Sequence, residues 1–437
     1  MAQQTDKHYR NQVLYSVFVR NHSKTGTFAG VRQDLDRIQS LGVDILWLLP
    51  IHPIGETARK GILGSPYAIR DYRTVNSEYG TMEDFVQLVE EIHGRGMKCI
   101  IDVVYNHTAP DSLLAQEHPE WFYHKPDGSF GNRIGDWTDT IDLDYSHRGL
   151  WAYQIETLKQ WARIVDGFRC DVAALIPLEF WLEARRQVEK VRPGCIWLAE
   201  SVEPEFIVEN RARGMVALSD SEIFQAFDMA YDYDVYGYFS AYLSGKITLA
   251  RYLEALSQQE TIYPANYVKL RCLENHDRAR IAAMIPDKQS LENWTAFLYF
   301  QKGMTMLYAG QEAADPHRPS LFDTDPVNWF SGCNLAPLLR QLYWLKKDPL
   351  FTDSQYTLQA LPWDIALVTH QKDDHKLVGL FSLRGEEATA EVNLPDGEYE
   401  NLLGTKPVEV IAGQIFVPGR PVILRVTPPE EPEEEES

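Results

Sequence analysis

The chain has 437 residues, of which 44% are hydrophobic and 24% are charged, a composition typical of globular proteins with a large core. The 63 acidic residues outnumber the 42 basic ones, and a formal net charge of −21 argues against nucleic acid or an anionic membrane surface as partner. No uncharged apolar segment reaches the ~18 residues that a membrane span requires.

Cysteine usage and the start of the chain bear on the cellular compartment. Residues 1–11 are polar and lack the apolar segment of a secretory signal. The five cysteines show neither a CxxC motif nor a zinc-binding spacing. These features predict a reduced, cytoplasmic protein.

Short apolar segments alternate with amphipathic segments of helical period over the first 350 residues or so. Strands are predicted at 13–19, 45–49, 99–104, 167–170, 195–199, 225–227, 267–271 and 305–308. Helices are predicted at 31–41, 82–95, 149–164, 178–191, 249–256, 291–300 and 336–347. Eight strands separated by helices predict an α/β fold, a closed (β/α)8 (TIM) barrel formed by residues 1–107 and 146–350. An open doubly wound sheet is the alternative, but no glycine-rich phosphate loop follows the first strand.

Three segments depart from this alternation. Residues 108–145 are rich in Pro, Gly, Asp and aromatic side chains such as Trp137, and we expect a short inserted subdomain after the third strand. Short alternating segments at 366–370, 377–383, 388–392, 408–411 and 422–426 predict a C-terminal antiparallel β-sandwich over 351–427. Residues 428–437 carry six Glu and no apolar residue, which predicts a disordered acidic tail.

Four of the predicted strands are followed by a cluster that contains a carboxylate. These are Asp102, Asp171, Glu200 and Asp277. A single carboxylate in such a position is more often a helix cap, but the carboxyl ends of barrel strands converge on one pocket. Paired carboxylates at one site suit glycosidic bond cleavage, with one as nucleophile and the other as acid/base.

Side-chain alternation places Arg169 and Asp171 on the same face of their strand. The positive charge of Arg169 is expected to keep Asp171 ionised. Burial and a neighbouring carboxylate are expected to raise the pKa of Glu200 toward that of a useful acid. Asp102 is expected to support its neighbours structurally.

The clusters resemble, in order, the four signature regions of the α-amylase superfamily (glycoside hydrolase family 13). The matching residues are Asp102 with Asn106-His107, Gly167-Phe168-Arg169-Cys170-Asp171, Glu200 after Trp197-Leu198-Ala199, and Asn275-His276-Asp277. Further matches are Gly64-Ser65-Pro66-Tyr67 and Tyr308-Ala309-Gly310-Gln311-Glu312. The resemblance covers about residues 11–427.

This resemblance implies roles for individual residues. Asp171 would be the nucleophile, Glu200 the acid/base and Asp277 the residue that stabilises the transition state. Four substrate-binding residues are implied, namely Tyr67, His107, Arg169 and His276. The implied mechanism is a double displacement with retention, in which the two reacting carboxyl groups lie about 5–5.5 Å apart.

The resemblance is incomplete for calcium. Asn106 and Asp142 match ligand positions of the family, and calcium prefers oxygen ligands. Ala174 and Leu175, however, stand where calcium-binding members carry a Lys-His pair. The implied chemistry requires no cofactor. A calcium ion would have a structural role and is not required by the predicted reaction.

The sequence therefore predicts a retaining α-glucan hydrolase that cleaves α-1,4-glucosidic bonds of starch fragments or maltodextrins. A 4-α-glucanotransferase is the first alternative, because an acceptor sugar competes with water for the same intermediate. An α-1,6-acting glucosidase is the second, since Val172 resembles members with that linkage preference. A non-catalytic glycan-binding relative is the remote alternative. It would be expected to lack the catalytic carboxylates, but Asp171, Glu200 and Asp277 are all present. The expected partner is an α-glucan, and nothing indicates the oligomeric state.

Overall fold

The computed structural model of the chain describes residues 4–135 and 137–426, and the predicted acidic tail at 428–437 lies outside these ranges. Its strands, in chain order, are β1 (Val13–Val17), β2 (Ile45–Leu48), β3 (Lys98–Val103), β4 (His107–Thr108), β5 (Ile141–Asp142), β6 (Gly167–Cys170), β7 (Ile196–Ala199), β8 (Met229–Tyr231), β9 (Lys269–Arg271), β10 (Met304–Tyr308), β11 (Gln355–Leu361), β12 (Ile365–Lys372), β13 (His375–Ser382), β14 (Glu387–Glu391), β15 (Gly397–Tyr399), β16 (Val408–Ile411), β17 (Gln414–Pro418) and β18 (Val422–Val426).

The α-helices lie mostly between the strands of the first 350 residues. They are α1 (Val19–His22), α2 (Phe28–Arg32), α3 (Leu35–Ser40), α4 (Met82–Gly94), α5 (Leu113–Glu117), α6 (Arg148–Ala162), α7 (Leu178–Val188), α8 (Pro204–Ala212), α9 (Asp220–Ile223), α10 (Tyr233–Leu243), α11 (Leu249–Ile262), α12 (Ile281–Met284), α13 (Lys288–Phe300) and α14 (Ala336–Lys346). In the described part of the chain, none is both long and apolar enough to cross a membrane.

Eight parallel strands close into a barrel in the order β1-β2-β3-β6-β7-β8-β9-β10, and β10 pairs with β1 to complete the ring. Every residue of these strands except Lys98 is buried. Both faces of each strand are covered, the inner face by the barrel core and the outer face by helices, and this accounts for their nearly continuous apolar sequences. The predicted (β/α)8 barrel is confirmed.

Helix α4 shows how the local sequence defines a barrel helix. The side chain of Thr81 accepts a hydrogen bond from the N–H of Asp84, whose carboxylate accepts one from the N–H of Thr81, a capping box that fixes the first turn. One face, with Phe85, Leu88 and Ile92, is buried against the barrel. The spacing of these residues is the helical period from which the helix was predicted.

Two predicted elements are wrong. The strand predicted at 225–227 is instead the end of a turn that follows α9, and the sixth strand of the barrel is β8. Phe227 is fully buried, with its ring 5.1 Å from that of Trp181, so its apolar character reflects packing outside the sheet. The helix predicted at 31–41 is broken at Gln33 and Asp34 into α2 and α3.

The C-terminal region forms two four-stranded antiparallel sheets, β11-β12-β13-β18 and β14-β17-β16-β15. Buried apolar residues of both sheets form one cluster, which includes Val378 of the first sheet and Val410 of the second. The predicted sandwich is therefore confirmed. The first sheet also packs on the barrel, where the ring of Phe381 lies 5.5 Å from that of Phe300.

The segment inserted after β3 returns to its starting point through a short ladder. Strands β4 and β5 pair antiparallel, with His107 opposite Asp142 and Thr108 opposite Ile141. Helix α5 lies in the intervening segment. This ladder places both ends of the insertion beside the carboxyl end of β3.

The start of β6 is a place where two strands approach closely. A Cβ atom on Gly167 would lie 2.3 Å from the carbonyl oxygen of Ile196 on the neighbouring strand β7. We expect Gly167→Ala to lower the free energy of unfolding by about 1–3 kcal/mol, because the added methyl group forces the strands apart. Urea denaturation measures this change.

A matched substitution in open space serves as control. Gly237 lies inside α10, and an added Cβ would meet nothing within 4 Å. Gly237→Ala should leave the protein as stable as before or stabilise it by up to about 1 kcal/mol, since alanine favours helix. Equal stability of Gly167→Ala and the parent would contradict the close strand contact.

Candidate active site

The predicted catalytic residues all lie at the carboxyl end of the barrel. Asp171 directly follows β6 and its N–H donates to the carbonyl of Val103, 2.9 Å away. Glu200 directly follows β7 and donates its N–H to the carbonyl of Cys170 at 3.0 Å. Asp277 lies in the loop after β9. All three carboxylates line the same cavity.

Arg169, on β6, is a fully buried cation at the centre of the site. Its Nη1 donates to Oδ1 of Asp171 at 2.9 Å and to both carboxylate oxygens of Asp102, at 3.0 and 3.1 Å. Its Nη2 lies 3.0 Å from Oε2 of Glu200. The guanidinium carbon is 5.1 Å from the ring centre of Trp47. One guanidinium therefore holds carboxylates from three neighbouring strands.

The residue after Asp171 has an unusual backbone. Val172 has φ 35° and ψ 44°, the left-handed region that β-branched residues rarely enter. Its N–H donates to Oε2 of Glu200 at 2.8 Å. A conformation of this kind costs on the order of 1–3 kcal/mol and persists only where its surroundings enforce it. The sharp turn directs this N–H toward Glu200.

The site separates the pKa values of its carboxyl groups. Burial, reinforced by the charges of Asp171 and Asp277 and opposed by Arg169, raises the pKa of Glu200 to about 7. Burial also raises the pKa of Asp171, and Arg169 counteracts it. The side chain of Asp277 is 45% exposed, and there His276 and Arg169 outweigh the loss of solvation and lower the pKa to about 2. Glu200 is thus a carboxyl group that holds its proton near neutral pH.

The predicted sugar-binding residues divide into two groups. Tyr67 and His107 line the cavity, whereas Arg169 and His276 are buried behind the carboxylates that line it. The rings of Tyr67 and His276 stack at an angle of 11°, and Tyr67 Oη lies 2.6 Å from His276 Nε2. That nitrogen is also 3.1 Å from Oδ2 of Asp277. His276 therefore contacts Tyr67 and Asp277 directly.

The cavity has a volume of about 300 Å3. The ring of His107 packs 5.2 Å from that of Trp137, and burial lowers the pKa of His107 to about 4, so its imidazole is neutral. Ser65, from the Gly64-Ser65-Pro66-Tyr67 match, also lines the cavity, and further lining residues that the sequence patterns did not single out are Lys60, Asp139, Thr140, Leu321 and Phe322. Their only sequence signal is that three of the loops between strands are long.

The proposed calcium ligands lie at a second cavity of about 310 Å3, between the insertion and the barrel. Oδ2 of Asp142 accepts a hydrogen bond from the N–H of Arg133 at 2.7 Å, while Oδ1 is buried without a partner among the described residues. The Arg133 guanidinium lies 3.8 Å from Oδ2 and donates to the carbonyl of Leu143. Asn106 Nδ2 lies 3.2 Å from His107 Nδ1.

Calcium takes six to eight oxygen ligands, of which the side chains of Asn106 and Asp142 supply few. Asp142 supplies the carboxylate, and a guanidinium already lies beside it. Nowhere in residues 4–135 and 137–426 do three or more His, Cys, Asp or Glu side chains group as metal ligands would. The positive charge of Arg133 faces the oxygens that would otherwise face an ion.

The fold and the site together define a class of protein. A parallel barrel with two neighbouring carboxyl groups of different pKa at the ends of its strands is the arrangement of a glycoside hydrolase. Residues 12–318 match the family described as "Alpha amylase, catalytic domain", and residues 357–424 match "Bacterial Alpha amylase C-terminal domain". The chain belongs to the α-amylase family.

Known relatives agree with this assignment. The crystal structure of an α-amylase from Lactobacillus plantarum superposes with a TM-score of 0.95 and 49% identity over 97% of this chain and 100% of that one. The crystal structure of a noncanonic maltogenic α-amylase, AmyB from Thermotoga neapolitana, superposes with a TM-score of 0.85 and 32% identity. The match covers 96% of this chain and 99% of that one. The alpha-1,4-glucan:maltose-1-phosphate maltosyltransferase of Myxococcus xanthus is 31% identical over 57% of this chain and 38% of its own length. The chain spans less than half the length of the curated relatives it matches.

Chelation tests whether the charge of Arg133 alone, without a metal ion, stabilises the buried carboxylate of Asp142. We expect dialysis against EDTA to change the melting temperature by less than about 2 °C, the shift expected for a loss below about 1 kcal/mol. Arg133→Met should lower the melting temperature with or without EDTA, because the substitution leaves the buried carboxylate of Asp142 without its neighbouring cation. Calorimetry measures both. A large loss on chelation that added calcium reverses would contradict this expectation.

Proposed function

We propose that this protein is a retaining α-glucan hydrolase that cleaves α-1,4-glucosidic bonds of starch fragments or maltodextrins. The observation that carries the proposal is the pairing of Asp171 and Glu200 across one buried guanidinium, with the pKa of Glu200 raised to about 7. An ionised nucleophile beside a protonated acid is the combination that double displacement requires.

The contacts of Glu200 indicate which of its oxygens carries the proton. Oε2 accepts the N–H of Val172 and lies against the Arg169 guanidinium, so negative charge concentrates there. The proton therefore sits on Oε1. It passes to the glycosidic oxygen as Asp171 attacks the anomeric carbon. Glu200 then takes a proton from water, which attacks the same carbon and releases Asp171.

The remaining residues act on the sugar. Asp277, with its lowered pKa, is an ionised acceptor for sugar hydroxyl groups and a negative charge near the developing oxocarbenium ion. Tyr67 and His107 present ring surfaces to the cavity, and apolar sugar faces pack on such rings. Arg169 and His276 position Asp171, Glu200 and Asp277 from behind.

Transfer to an acceptor sugar is the second candidate activity. The Myxococcus xanthus relative is named as a maltosyltransferase, and the Asp171 intermediate can be attacked by a sugar hydroxyl group as well as by water. The same site then gives products longer than the substrate. The relative concentrations of water and acceptor at the intermediate decide the balance.

The proposed site of action is the cytoplasm. All five cysteines carry free thiols, and Cys99, Cys170 and Cys195 are buried as small apolar side chains. A protein without disulfides is suited to a reducing compartment. Maltodextrins present there are neutral, which suits a chain with a net charge of −21.

A time course of maltoheptaose digestion, with products separated by chain length, tests the activity. We expect shorter oligosaccharides, and we expect Asp171→Asn to lower kcat by several orders of magnitude because an amide cannot serve as nucleophile. The melting temperature shows whether the variant folds. Asp373→Asn, in the exposed turn between β12 and β13, is the matched control and should leave kcat unchanged.

The outcomes separate the two activities. Products longer than seven glucose units would favour transfer over hydrolysis. Full activity of Asp171→Asn would rule out its role as nucleophile. If maltoheptaose is not cleaved but isomaltose or panose is, the result would favour the α-1,6 alternative.

The pH dependence tests the role of Glu200. Above pH 7 Glu200 loses its proton, so kcat/KM should fall about tenfold per pH unit on that side, as for an essential acid. α-Maltosyl fluoride needs no protonation of its leaving group. With this substrate Glu200→Gln should retain the first step and lose the alkaline limb. An alkaline limb that persists in Glu200→Gln would assign it to another group.

A further inference from the structure

Three loops that line the active-site cavity are tied to one another, and we term them the loop wall. It consists of residues 60–65 after β2, residues 137–140 of the insertion and residues 321–323 after β10. Members of all three segments line the cavity. The loops come from distant parts of the chain, so their contacts with one another determine how they border the cavity.

The first tie is an ion pair between the β2 loop and the insertion. Nζ of Lys60 lies 2.9 Å from Oδ1 of Asp139. The Asp139 side chain is only 6% exposed, while that of Lys60 is 34% exposed. A carboxylate that is this buried depends on its cation, so the pair holds the two loops in contact.

The second tie joins the β2 loop to the β10 loop through the backbone. The N–H of Leu63 donates to the carbonyl of Phe322 at 2.9 Å, and the N–H of Ile62 donates to Oδ1 of Asp323 at 2.8 Å. Gly61 has φ +65°, and a Cβ there would lie 2.5 Å from Cβ of Phe322. The two loops approach so closely that only glycine fits.

A buried arginine braces the same junction from below. Arg20, of α1, is 3% exposed. Its Nη1 donates to the carbonyl of Gly64 at 3.0 Å and to that of Leu321 at 3.1 Å. Because a single guanidinium bonds both loops, neither can swing away from the other without leaving a buried cation with fewer acceptors.

The position of the wall follows from the order of the barrel strands. Glu200 follows β7, and the strand opposite β7 in the eight-stranded ring is β1. Two of the loops follow β10 and β2, the strands on either side of β1. The third belongs to the insertion after β3, which is the next strand beyond β2. The wall therefore faces the acid across the cavity. Since the acid protonates the leaving group, the wall bounds the side that holds the glycone.

We propose that the loop wall stops the glucan chain on its glycone side, so that only a non-reducing end enters, an inference that rests on the glucan hydrolase activity proposed above. The enzyme then acts from the chain end and releases a short product of constant length. The cavity of about 300 Å3 is at the small end of ligand sites. Lys60 and Asp139 are specificity-determining residues, because their ion pair keeps the insertion against the β2 loop.

The test compares two nitrophenyl maltoheptaosides, one with a free non-reducing end and one blocked there by a 4,6-O-ethylidene group. We expect the parent protein to cleave the blocked chain more slowly by on the order of 100-fold, because the wall excludes the added group. In Lys60→Ala and Asp139→Asn this ratio should fall to about tenfold or less, and the products from the free chain should become longer and more varied.

Lys372→Ala is the matched control, since Lys372 forms an ion pair of the same length, 2.9 Å, with Asp353 in the C-terminal region. It should leave the ratio at the parental value. Equal cleavage of both substrates by the parent would overturn the inference and leave the proposed hydrolase intact. A ratio unchanged in both loop variants would overturn the role of the ion pair. Cleavage of neither substrate would overturn the proposed function itself.

Discussion

A guanidinium without access to water needs acceptors for its N–H groups and its charge, and Arg169 has three carboxylates around it. Asp102, Asp171 and Glu200 come from three consecutive strands of the barrel and meet on this one side chain. Removing a partner from a buried ion pair costs about 3–5 kcal/mol, so the cluster is held as a unit. The spacing of nucleophile and acid is therefore a property of the barrel, since adjacent strand ends and one rigid cation fix it together.

The same cluster sets the chemistry by its imbalance of charge. Burial raises the pKa of Asp102, Asp171 and Glu200, and Arg169 opposes that rise at all three, so one cation does not offset the burial of the whole cluster. Asp171 and Glu200 each contact Arg169 through one oxygen, whereas Asp102 receives bonds to both of its oxygens. The N–H of Val172 adds direction to this arrangement, because it donates to the same oxygen of Glu200 that lies against Arg169. The strained backbone of Val172 is therefore part of what holds the carboxyl group of Glu200 in position.

Strand periodicity was enough to predict the barrel and the sandwich. The strand ends marked four carboxylates, three of which share the cavity, and the resemblance to the α-amylase superfamily supplied their roles. These features depend on local sequence, because a buried strand is apolar and its end faces the pocket. The error at 225–227 has a physical cause: Phe227 is buried by side-chain packing, which a short apolar segment cannot distinguish from a strand. The contact between Lys60 and Asp139 could not be predicted, since neither residue has a local signal and their meeting depends on how two loops fold over the barrel.

The ladder of β4 and β5 has only two residue pairs, yet it carries His107 and closes the base of the insertion. The insertion also contacts the barrel side elsewhere, since the N–H of Leu113 donates to the carbonyl of Arg70 and the ring of Trp121 lies 6.3 Å from that of Tyr153 on α6. None of these contacts involves Arg169 or a barrel strand, so a change of length within the insertion need not alter the strand register or the charged cluster. Evolution can exchange this segment as a module, and the chemistry of bond cleavage and the choice of saccharide can diverge independently in one chain.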